Sequence, residues 1–398
     1  MRITCTEELH QGGGPGRFLL GKAEDVSAQL LDEYAGKVQL IYLDPPFGTG
    51  DTFRVRLPVG KRSVLMPVYQ DDLPQSDYVA WMRGVLTNCR ALLAPTGSLY
   101  LHIDHRMNAH MRLLLDEIFG SANFMNEIVW GYRSGGRSTR CYPRKHDTIL
   151  FYRKGRSVYF DITAVGVPRG PEKRNHMKRY IDERGRICFS IRSGGKLYTY
   201  YEDTPVYPSD VWTDIEHLQQ KDRERTGYAT QKPEALLRRI LLASSREGDL
   251  VLDLFSGSGT TAAAAMQLKR RYLAADASPY ALYTLRSRLL HSTGALSFLD
   301  EAHAMLLSYP ADDAAAVAEA EVRALHGRPH LFVKNASFAD GSPLIYAAAG
   351  RAEGARFYPC ATNCAPGAAL SLPLSPDAAK APVLQITGAA GRTAFFQF

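Results

Sequence analysis

Long apolar runs and closely spaced cysteines are scarce in this sequence of 398 residues. No stretch of about 18 apolar residues occurs, so no membrane span is predicted. Residues 1–16 lack an apolar segment after a basic start, and we therefore expect a cytoplasmic protein with reduced thiols. Of the six cysteines only Cys360 and Cys364 are close together, and no second pair of ligands follows them. We accordingly predict no zinc site and no other metal centre.

Positive charge is present in excess and is concentrated in one part of the chain. The formal net charge is +7 and the isoelectric point is about 9.0. Residues 133–200 contain 17 Lys or Arg and 5 Asp or Glu, so the rest of the chain is net acidic. A concentrated basic segment predicts a polyanionic partner more specifically than the total charge does.

Apolar strand-like runs alternate with helical patterns in two parts of the chain, as in βαβ proteins. This alternation predicts an α/β fold with a doubly wound, mostly parallel sheet. The predicted elements are strands at 38–43, 97–103, 250–254 and 271–275 and helices at 78–93, 107–119, 233–244, 260–268 and 280–291.

The alternation of strand and helix patterns is interrupted in two parts of the chain. The middle, from about 132 to 226, is basic, aromatic and punctuated by glycine, with short strand patterns at 148–152 and 196–201, which indicates an inserted module. The tail after 292 is rich in Ala, Gly and Pro, has a helical pattern near 312–325, and carries no recognisable chemistry. We predict four segments: a catalytic half at 1–131, an insert at 132–229, a cofactor half at 230–292 and a small C-terminal extension at 293–398.

A strand pattern, a glycine-rich turn and a helix start follow one another in DLVLDLFSGSGTT. Gly257 and Gly259 let the backbone approach a ligand, although a dinucleotide site or a plain tight turn fits them equally well. Asp253 can accept a hydrogen bond from an ammonium or hydroxyl group. Asp276 ends the next strand, where a carboxylate often holds ribose hydroxyls, with a helix N-cap as the alternative. Lys232, before a helix, is placed to meet a carboxylate. S-adenosylmethionine has all three features: amino group, carboxylate and ribose.

Asp44, Pro45, Pro46 and Phe47 follow the first predicted strand, at the sheet edge where open α/β folds bind ligands. An aromatic amine is a poor nucleophile because its lone pair delocalises into the ring. Asp44 can accept one amino hydrogen and the Pro45 carbonyl the other, while Phe47 can stack on a base. Taken alone, the motif is also an ordinary turn at the end of a strand.

A base inside a duplex cannot reach a buried methyl donor, so the target nucleotide has to be extruded into the pocket. The basic segment supplies groups that bind phosphates and bases; a solvated basic face with core aromatics is the alternative. Its aromatic residues include Tyr142, Tyr159, Phe160, Tyr180, Tyr198 and Tyr200. Its candidate DNA contacts are Arg133, Arg137, Arg140, Arg144 and Lys145.

These residues together resemble the bacterial DNA amino-methyltransferases, in the group whose catalytic motif precedes the cofactor motif. The similarity spans most of residues 18–291 and keeps the family's order. The matching segments are LIYLDPPFGTGDTF, LLAPTGSLYLHID, LLLDEIFGSANFMNEIVW, HDTILFYRK, GYATQKPEALLRRIL and DLFSGSGTT.

The resemblance implies a Rossmann-like domain that uses S-adenosylmethionine and carries an inserted target recognition domain for double-stranded DNA. It implies site-specific methylation, for which Asp-Pro-Pro with an aromatic residue is more typical of adenine N6 than of cytosine N4. Asp44 to Phe47 would be the methylating motif. The cofactor residues would be Asp253, Phe255, Gly257, Gly259, Thr260 at the helix start, Asp276 at the ribose, and Thr230 and Lys232 at the methionine end.

Several alternatives stay open. The same loop can hold the cytosine amino group, and RNA or a protein glutamine can replace DNA as substrate. A DNA-binding protein without catalysis would have no physical need for both Asp44 and Asp253. Cytosine C5 methylation needs a Pro-Cys loop after the cofactor motif, and Pro359-Cys360 lacks those surroundings. Gly21-Lys22 departs from the Gly-Asp of many members. A homodimer, a paired restriction endonuclease and the role of the tail stay open.

Overall fold

A computed structural model describes residues 5–11, 14–59, 62–133, 137–170, 176–292, 305–307, 316–325, 327–353, 356–364, 370–388 and 393–398. The N-terminal part alternates strands and helices, as predicted. Its elements are β1 (Cys5–Gln11), β2 (Gly14–Leu20), α1 (Ala23–Tyr34), β3 (Val38–Leu43), β4 (Thr52–Val59), β5 (Arg62–Gln70), α2 (Gln75–Leu92), β6 (Leu93–Ile103), α3 (Asn108–Phe119) and β7 (Phe124–Gly131).

The middle of the chain is built from strands. They are β8 (His146–Arg153), β9 (Val167–Pro168), β10 (Lys178–Ile181), β11 (Ile187–Ser193), β12 (Lys196–Tyr201), β13 (Pro205–Val206) and β14 (Val211–Trp212). The alternation then returns, which confirms the predicted helices and strands of the cofactor half. Its elements are α4 (Glu234–Ser244), β15 (Leu250–Asp253), α5 (Thr260–Gln267), β16 (Arg271–Asp276) and α6 (Pro279–Ser292).

A ten-stranded sheet organises the catalytic and cofactor halves. A further strand, β17 (Met305–Leu307), forms one edge, and the order is β14-β7-β8-β6-β3-β15-β16-β2-β1-β17. Five of the nine pairings are parallel, including all four between β6 and β2. The chain winds outward in opposite directions from β3 and β15, which is the switch point where α/β sheets open a crevice. The predicted doubly wound, mostly parallel sheet is confirmed.

Helices cover both faces of this sheet. Helices α1, α2 and α3 contribute buried side chains such as Val26, Val85 and Met111 to one hydrophobic cluster. Helices α4, α5 and α6 contribute side chains such as Leu237 and Leu285 to the other. All six residues of β3 are buried because they lie between these layers, which explains why five of the six are apolar. The exception, Gln39, donates hydrogen bonds to the carbonyls of Thr96 and Ser244.

The insert shares the central sheet at both of its ends. Strand β8 pairs antiparallel with β6 and β7, and β14 pairs with β7, although the expected boundary assigned both to the insert. Charge marked that boundary at 132, but Ile149 to Tyr152 are buried in the core and hold β8 in the sheet. The part of the insert outside the sheet contains a three-stranded antiparallel sheet of β10, β11 and β12.

The C-terminal part is antiparallel β structure with its own hydrophobic cluster. Its strands are β18 (Ala316–Leu325), β19 (Arg328–Phe338), β20 (Leu344–Glu353), β21 (Arg356–Cys364), β22 (Leu370–Pro373), β23 (Val383–Gly388) and β24 (Thr393–Gln397). The expected helix near 312–325 is wrong over 316–325, because β18 pairs with β19 along its whole length. Residues 312–315 of that expectation lie outside the described residues.

A two-stranded hairpin, β4 and β5, rises directly after the Asp44–Phe47 motif and returns the chain to Asp71. Its residue Val55 is fully buried in the cluster that contains Tyr346 and Phe357 of the C-terminal part. The hairpin therefore packs between the catalytic loop and the C-terminal strands.

Candidate active site

The carboxyl ends of three adjacent strands open into one cavity of about 670 Å³. Asp44 follows β3, while Asp253 ends β15 and Asp276 ends β16. The volume lies in the ordinary range for sites that bind small molecules. Of the predicted site residues, those that line it are Asp44, Pro46, Thr230, Lys232, Asp253, Phe255, Gly257, Thr260 and Asp276.

The Asp44 carboxylate forms an ion pair with Lys232. The ammonium nitrogen lies 2.5 Å from Asp44 Oδ2, and the two side chains are only 9% and 16% exposed. Lys232 Nζ also lies 5.4 Å from the centre of the Phe47 ring. The carboxylate that Lys232 meets is thus a side chain of the other half of the domain, whereas the sequence predicted the carboxylate of a bound ligand. Its approach to the methionine end of a cofactor stays a prediction.

Two acceptors remain beside this ion pair. Within the described residues, no hydrogen bond ends on Asp44 Oδ1 or on the Pro45 carbonyl oxygen. A primary amine has two hydrogens to donate, so the loop has one acceptor for each. The arrangement fits the proposed role of the motif.

Asp71, which the sequence did not single out, holds the backbone of the catalytic loop. Its carboxylate accepts hydrogen bonds from the amides of Phe47, Gly48 and Thr49 at 3.0, 2.8 and 2.9 Å. Asp71 is 3% exposed. No sequence signal marked it, because it lies 24 positions from Phe47 and between two secondary-structure elements.

A buried network of His102, Tyr42 and Asp147 packs against the ring of Phe47. The His102 ring stacks on Phe47 with centroids 6.0 Å apart, and its Nδ1 lies 2.8 Å from the Tyr42 hydroxyl. Its Nε2 lies 3.1 Å from Asp147 Oδ2. Burial acts to raise the pKa of Asp147, but hydrogen bonds from His102 and Tyr132 and the positive charge of Lys232 outweigh it and hold that pKa at about 2. Asp147 is therefore ionised and His102 Nε2 donates. A histidine inside the apolar run GSLYLHI was the signal available in the sequence.

Asp253 is 3% exposed and is satisfied locally. Its Oδ1 accepts the Phe255 amide at 2.9 Å, and its Oδ2 accepts the Thr261 hydroxyl at 2.6 Å. Burial raises the pKa of the Asp253 carboxyl to about 7, and neighbouring Asp44 adds to that rise. A ligand ammonium or hydroxyl that donates to this carboxylate would favour its charged form.

Asp276 fastens the glycine loop to the neighbouring strand. Its Oδ2 accepts the Gly257 amide at 2.8 Å, and its Oδ1 accepts the Ser278 amide at 2.8 Å. Its bond to Ser278 closes a turn just before α6, and Ser278 itself makes the capping contact of that helix, since its hydroxyl accepts the Tyr280 amide at 3.3 Å. Burial of the carboxylate raises the pKa of Asp276 to about 6, although part of the residue surface is exposed.

The glycines of the cofactor loop are required by conformation and by space. Gly259 has φ +75° and Gly257 has φ +49°, both in the left-handed region. A Cβ on Gly259 would lie 2.5 Å from Leu285 Cδ1, so α6 packs directly against this position. The close approach lets the loop enter α5 at Thr260, whose hydroxyl donates to the Lys232 carbonyl. Thr230 is exposed and also has a positive φ, of 58°.

The cavity residues fit S-adenosylmethionine. Asp253 and Asp276 offer carboxylates for an ammonium group and for ribose hydroxyls. Phe255 and Trp81 also line the cavity and pack edge to face on each other, with ring centroids 5.6 Å apart, so they give it an aromatic surface. Ser256 Oγ is buried without a hydrogen-bond partner in the described part of the chain, and this residue lines the cavity. An unpaired buried hydroxyl is costly, so it is a group that a bound ligand would satisfy.

The candidate DNA contacts lie away from the cavity, on the surface at the start of the insert. Arg137, Arg140 and Arg144 are exposed. Arg133 lies 3.3 Å from Glu216 Oε1 with a side chain 91% exposed, and Lys145 donates to the Arg133 carbonyl at 2.7 Å. Their contact with DNA stays a prediction.

The described residues include no cluster of potential metal ligands and no helix long and apolar enough to cross a membrane.

Comparison with known proteins identifies the class. The family model for DNA methylases of the N6 and N4 type matches residues 38–286, which is more than half of the chain. The chain therefore belongs to this family of DNA amino-methylases, and its cofactor is S-adenosylmethionine.

Individual relatives cover a similar part of the chain. Type II methyltransferase M.EcaI of Enterobacter cloacae is 30% identical over 63% of this chain and 64% of its own length. DNA adenine methyltransferase YhdJ of Escherichia coli is 30% identical over 63% of this chain and 75% of its own length. The solved structure of the cytosine-N4-specific PvuII DNA methyltransferase covers 69% of this chain and 86% of its own, with a TM-score of 0.46 and 16% identity. The chain thus spans less than two thirds of M.EcaI.

Proposed function

We propose that this protein methylates the N6 amino group of adenine at specific sites in double-stranded DNA. The observation that carries the proposal is that Asp44, with one carboxylate oxygen unoccupied, opens into the same cavity as Asp253 and Asp276. A methyl acceptor and a bound cofactor can meet there.

The residues of the catalytic loop prepare the amine. Asp44 Oδ1 and the Pro45 carbonyl accept the two amino hydrogens, which draws the lone pair out of conjugation and toward the methyl group. Bound S-adenosylmethionine supplies an electrophilic methyl on a sulfonium sulfur. Transfer of that methyl to the nitrogen would leave the amine with one proton too many, and Asp44 Oδ1, which accepts one amino hydrogen, would be in place to take it. Lys232 holds the other oxygen of Asp44 and so fixes the orientation of the carboxylate.

DNA fits the surroundings of this loop better than a free nucleoside does. The exposed arginines Arg137, Arg140 and Arg144 and the exposed ring of Tyr142, at 94%, lie in the segment between β7 and β8, which reaches the same sheet as the motif. Arginine and aromatic side chains together suit phosphates and unstacked bases. We propose that this segment, with β9 to β13, forms the target recognition domain over an extruded nucleotide.

Adenine N6 is preferred to cytosine N4 on two grounds. The motif is Asp-Pro-Pro-Phe, and YhdJ, a relative at 30% identity, is named as an adenine methyltransferase. Both bases present an exocyclic amino group, however, and the Asp44 loop can hold either one. Cytosine N4 is therefore the second candidate, and an RNA substrate is the third.

The test is nucleoside analysis of nucleic acid treated with purified protein and isotopically labelled S-adenosylmethionine. We expect label in N6-methyl-2′-deoxyadenosine from duplex DNA, and sequencing of the product would give the site. N4-methylcytosine without N6-methyladenine would reject the base assignment. Label in RNA with none in duplex DNA would reject the substrate.

A further inference from the structure

Asp71 makes five hydrogen bonds to the loop that follows the catalytic motif. Its carboxylate accepts the amides of Phe47, Gly48 and Thr49. Its carbonyl accepts the Gly50 amide at 2.7 Å, and its own amide donates to the Asp51 carbonyl at 3.0 Å. Asp71 is 3% exposed, and no side-chain cation forms an ion pair with it among the described residues. Backbone amides alone therefore solvate this buried carboxylate.

The loop conformation is shaped to receive that carboxylate. Successive amides can converge on one anion in turns that combine right- and left-handed backbone conformations. Gly48 has φ +68° and Gly50 has φ +79°. A Cβ on either glycine would meet nothing within 4 Å, so the backbone angle, rather than space, requires glycine here. The backbone of FGTG, which follows the two prolines, and Asp71 thus form one hydrogen-bonded unit, which we call the clamp.

The clamp and the ring contacts hold Phe47 from opposite ends. Its backbone amide is fixed by Asp71, and its ring is stacked on His102. Phe47 also directly follows Pro45 and Pro46, whose backbone φ angles are restricted, so a change in its backbone position is passed on to the Pro45 carbonyl. A shift of the amide would move both the ring and the acceptors beside Asp44.

We propose that Asp71 is a positioning residue for methyl transfer, acting through Phe47. The inference rests on the proposed function, because it takes the Phe47 ring to stack on the extruded target base. Positioning errors of about 1 Å can lower a rate by about a hundredfold even when binding is retained. Because Asp71 directly follows the β4–β5 hairpin, it also links the position of that hairpin to the position of the acceptor loop.

The test is a double-mutant cycle on the full-length protein with Asp71→Asn and Phe47→Ala. Asparagine keeps the size of the side chain but presents an amide NH₂ where an acceptor is needed. We expect Asp71→Asn to lower kcat by about tenfold to a hundredfold, while the Kd for S-adenosylmethionine stays within about twofold. In the Phe47→Ala background the same substitution should change kcat by less than about twofold. A purely structural role would lower the Tm but would give equal losses in both backgrounds.

Controls separate the possible outcomes. Asp32→Asn removes the same charge from an exposed position on α1 and should leave kcat unchanged. If Asp71→Asn does not fold, Gly48→Ala strains the clamp from the other side, and its kcat loss should likewise vanish with Phe47→Ala. Wild-type kcat in Asp71→Asn, or equal losses in both backgrounds, would overturn the role of Asp71. A wild-type protein that binds the cofactor but methylates no DNA would instead reject the proposed function, and this inference with it.

Discussion

Lys232 Nζ lies 2.5 Å from Asp44 Oδ2, although 188 positions separate the two residues. This contact joins the catalytic half to the cofactor half at the point where the cavity meets the acceptor loop. Both side chains are largely shielded from solvent, at 9% and 16% exposure. Removing one partner of such a pair leaves a charge poorly solvated, which costs more than the pair itself contributes.

Replacing Lys232 should therefore destabilise the protein through Asp44. We expect Lys232→Met to lower the free energy of unfolding by about 3 kcal/mol, measured by urea denaturation. The matched variant is Lys232→Met with Asp44→Asn, which removes both charges and should recover most of the loss. An equal cost of Lys232→Met in both backgrounds would show that the ion pair does not act as a unit.

Cofactor binding should depend on pH through the buried carboxyls. The pKa of Asp253 is raised to about 7 and that of Asp276 to about 6, so both are increasingly protonated as the pH falls through those values. A ligand that donates to the carboxylates binds their ionised forms, so binding should release protons. Affinity should fall by up to about tenfold per pH unit for each proton involved.

Calorimetry in buffers of different ionisation enthalpy measures this proton release directly. We expect the Kd to rise as the pH falls below about 7, the pKa of Asp253. Asp253→Asn should bind more weakly and lose most of that dependence. A Kd for the wild type that is constant across this range would contradict the role given to Asp253.

Gly259 should tolerate no side chain. Its φ is +75°, and an added Cβ would lie 2.5 Å from Leu285 Cδ1 and 3.2 Å from Leu285 Cα. We expect Gly259→Ala to cost about 2 to 4 kcal/mol in unfolding free energy and to weaken cofactor binding. Gly248 is the matched control, since its φ is +81° but nothing lies within 4 Å. Gly248→Ala should cost only about 1 kcal/mol. Equal losses at the two positions would mean that packing against α6 is unimportant.

The arginines of the β7–β8 segment should contribute charge rather than sequence readout if they bind phosphates. We expect Arg140→Gln and Arg144→Gln each to weaken DNA binding and to lower the slope of log affinity against log salt by about 1. Fluorescence anisotropy at several salt concentrations measures that slope. Arg90→Gln, on an exposed position of α2, is the control and should leave it unchanged. An unchanged slope in all three variants would place the DNA elsewhere.

The elements of the central sheet could be predicted because their physical signals are local. Val38–Leu43 is buried on both faces and is therefore apolar except for Gln39, and two prolines follow it. Ala316–Leu325 could not be assigned in the same way. Its alanines favour a helix, its alternation of small and charged residues fits a strand, and only pairing with β19 decides between them.

The residues of the candidate site likewise differ in whether local sequence or long-range packing determines them. Asp44 and Asp253 could be found because each lies at the carboxyl end of a predicted strand, on the ligand-binding edge of the sheet. The partners of Asp44 and Phe47 could not, since the contacts of Lys232, Asp71 and His102 depend on how distant segments pack. Sequence patterns identify where a carboxylate ends a strand, whereas packing determines what holds it in place.

The central claim is that Asp44 acts on the acceptor amine and not on the cofactor. The most direct measurement pairs calorimetric binding of S-adenosylmethionine with labelled-methyl transfer to DNA, for the wild type and Asp44→Asn. The account predicts a Kd within about threefold of the wild type and a transfer rate lower by at least about a hundredfold. Retained transfer by Asp44→Asn, or a loss of cofactor binding that accounts for the whole defect, would contradict it.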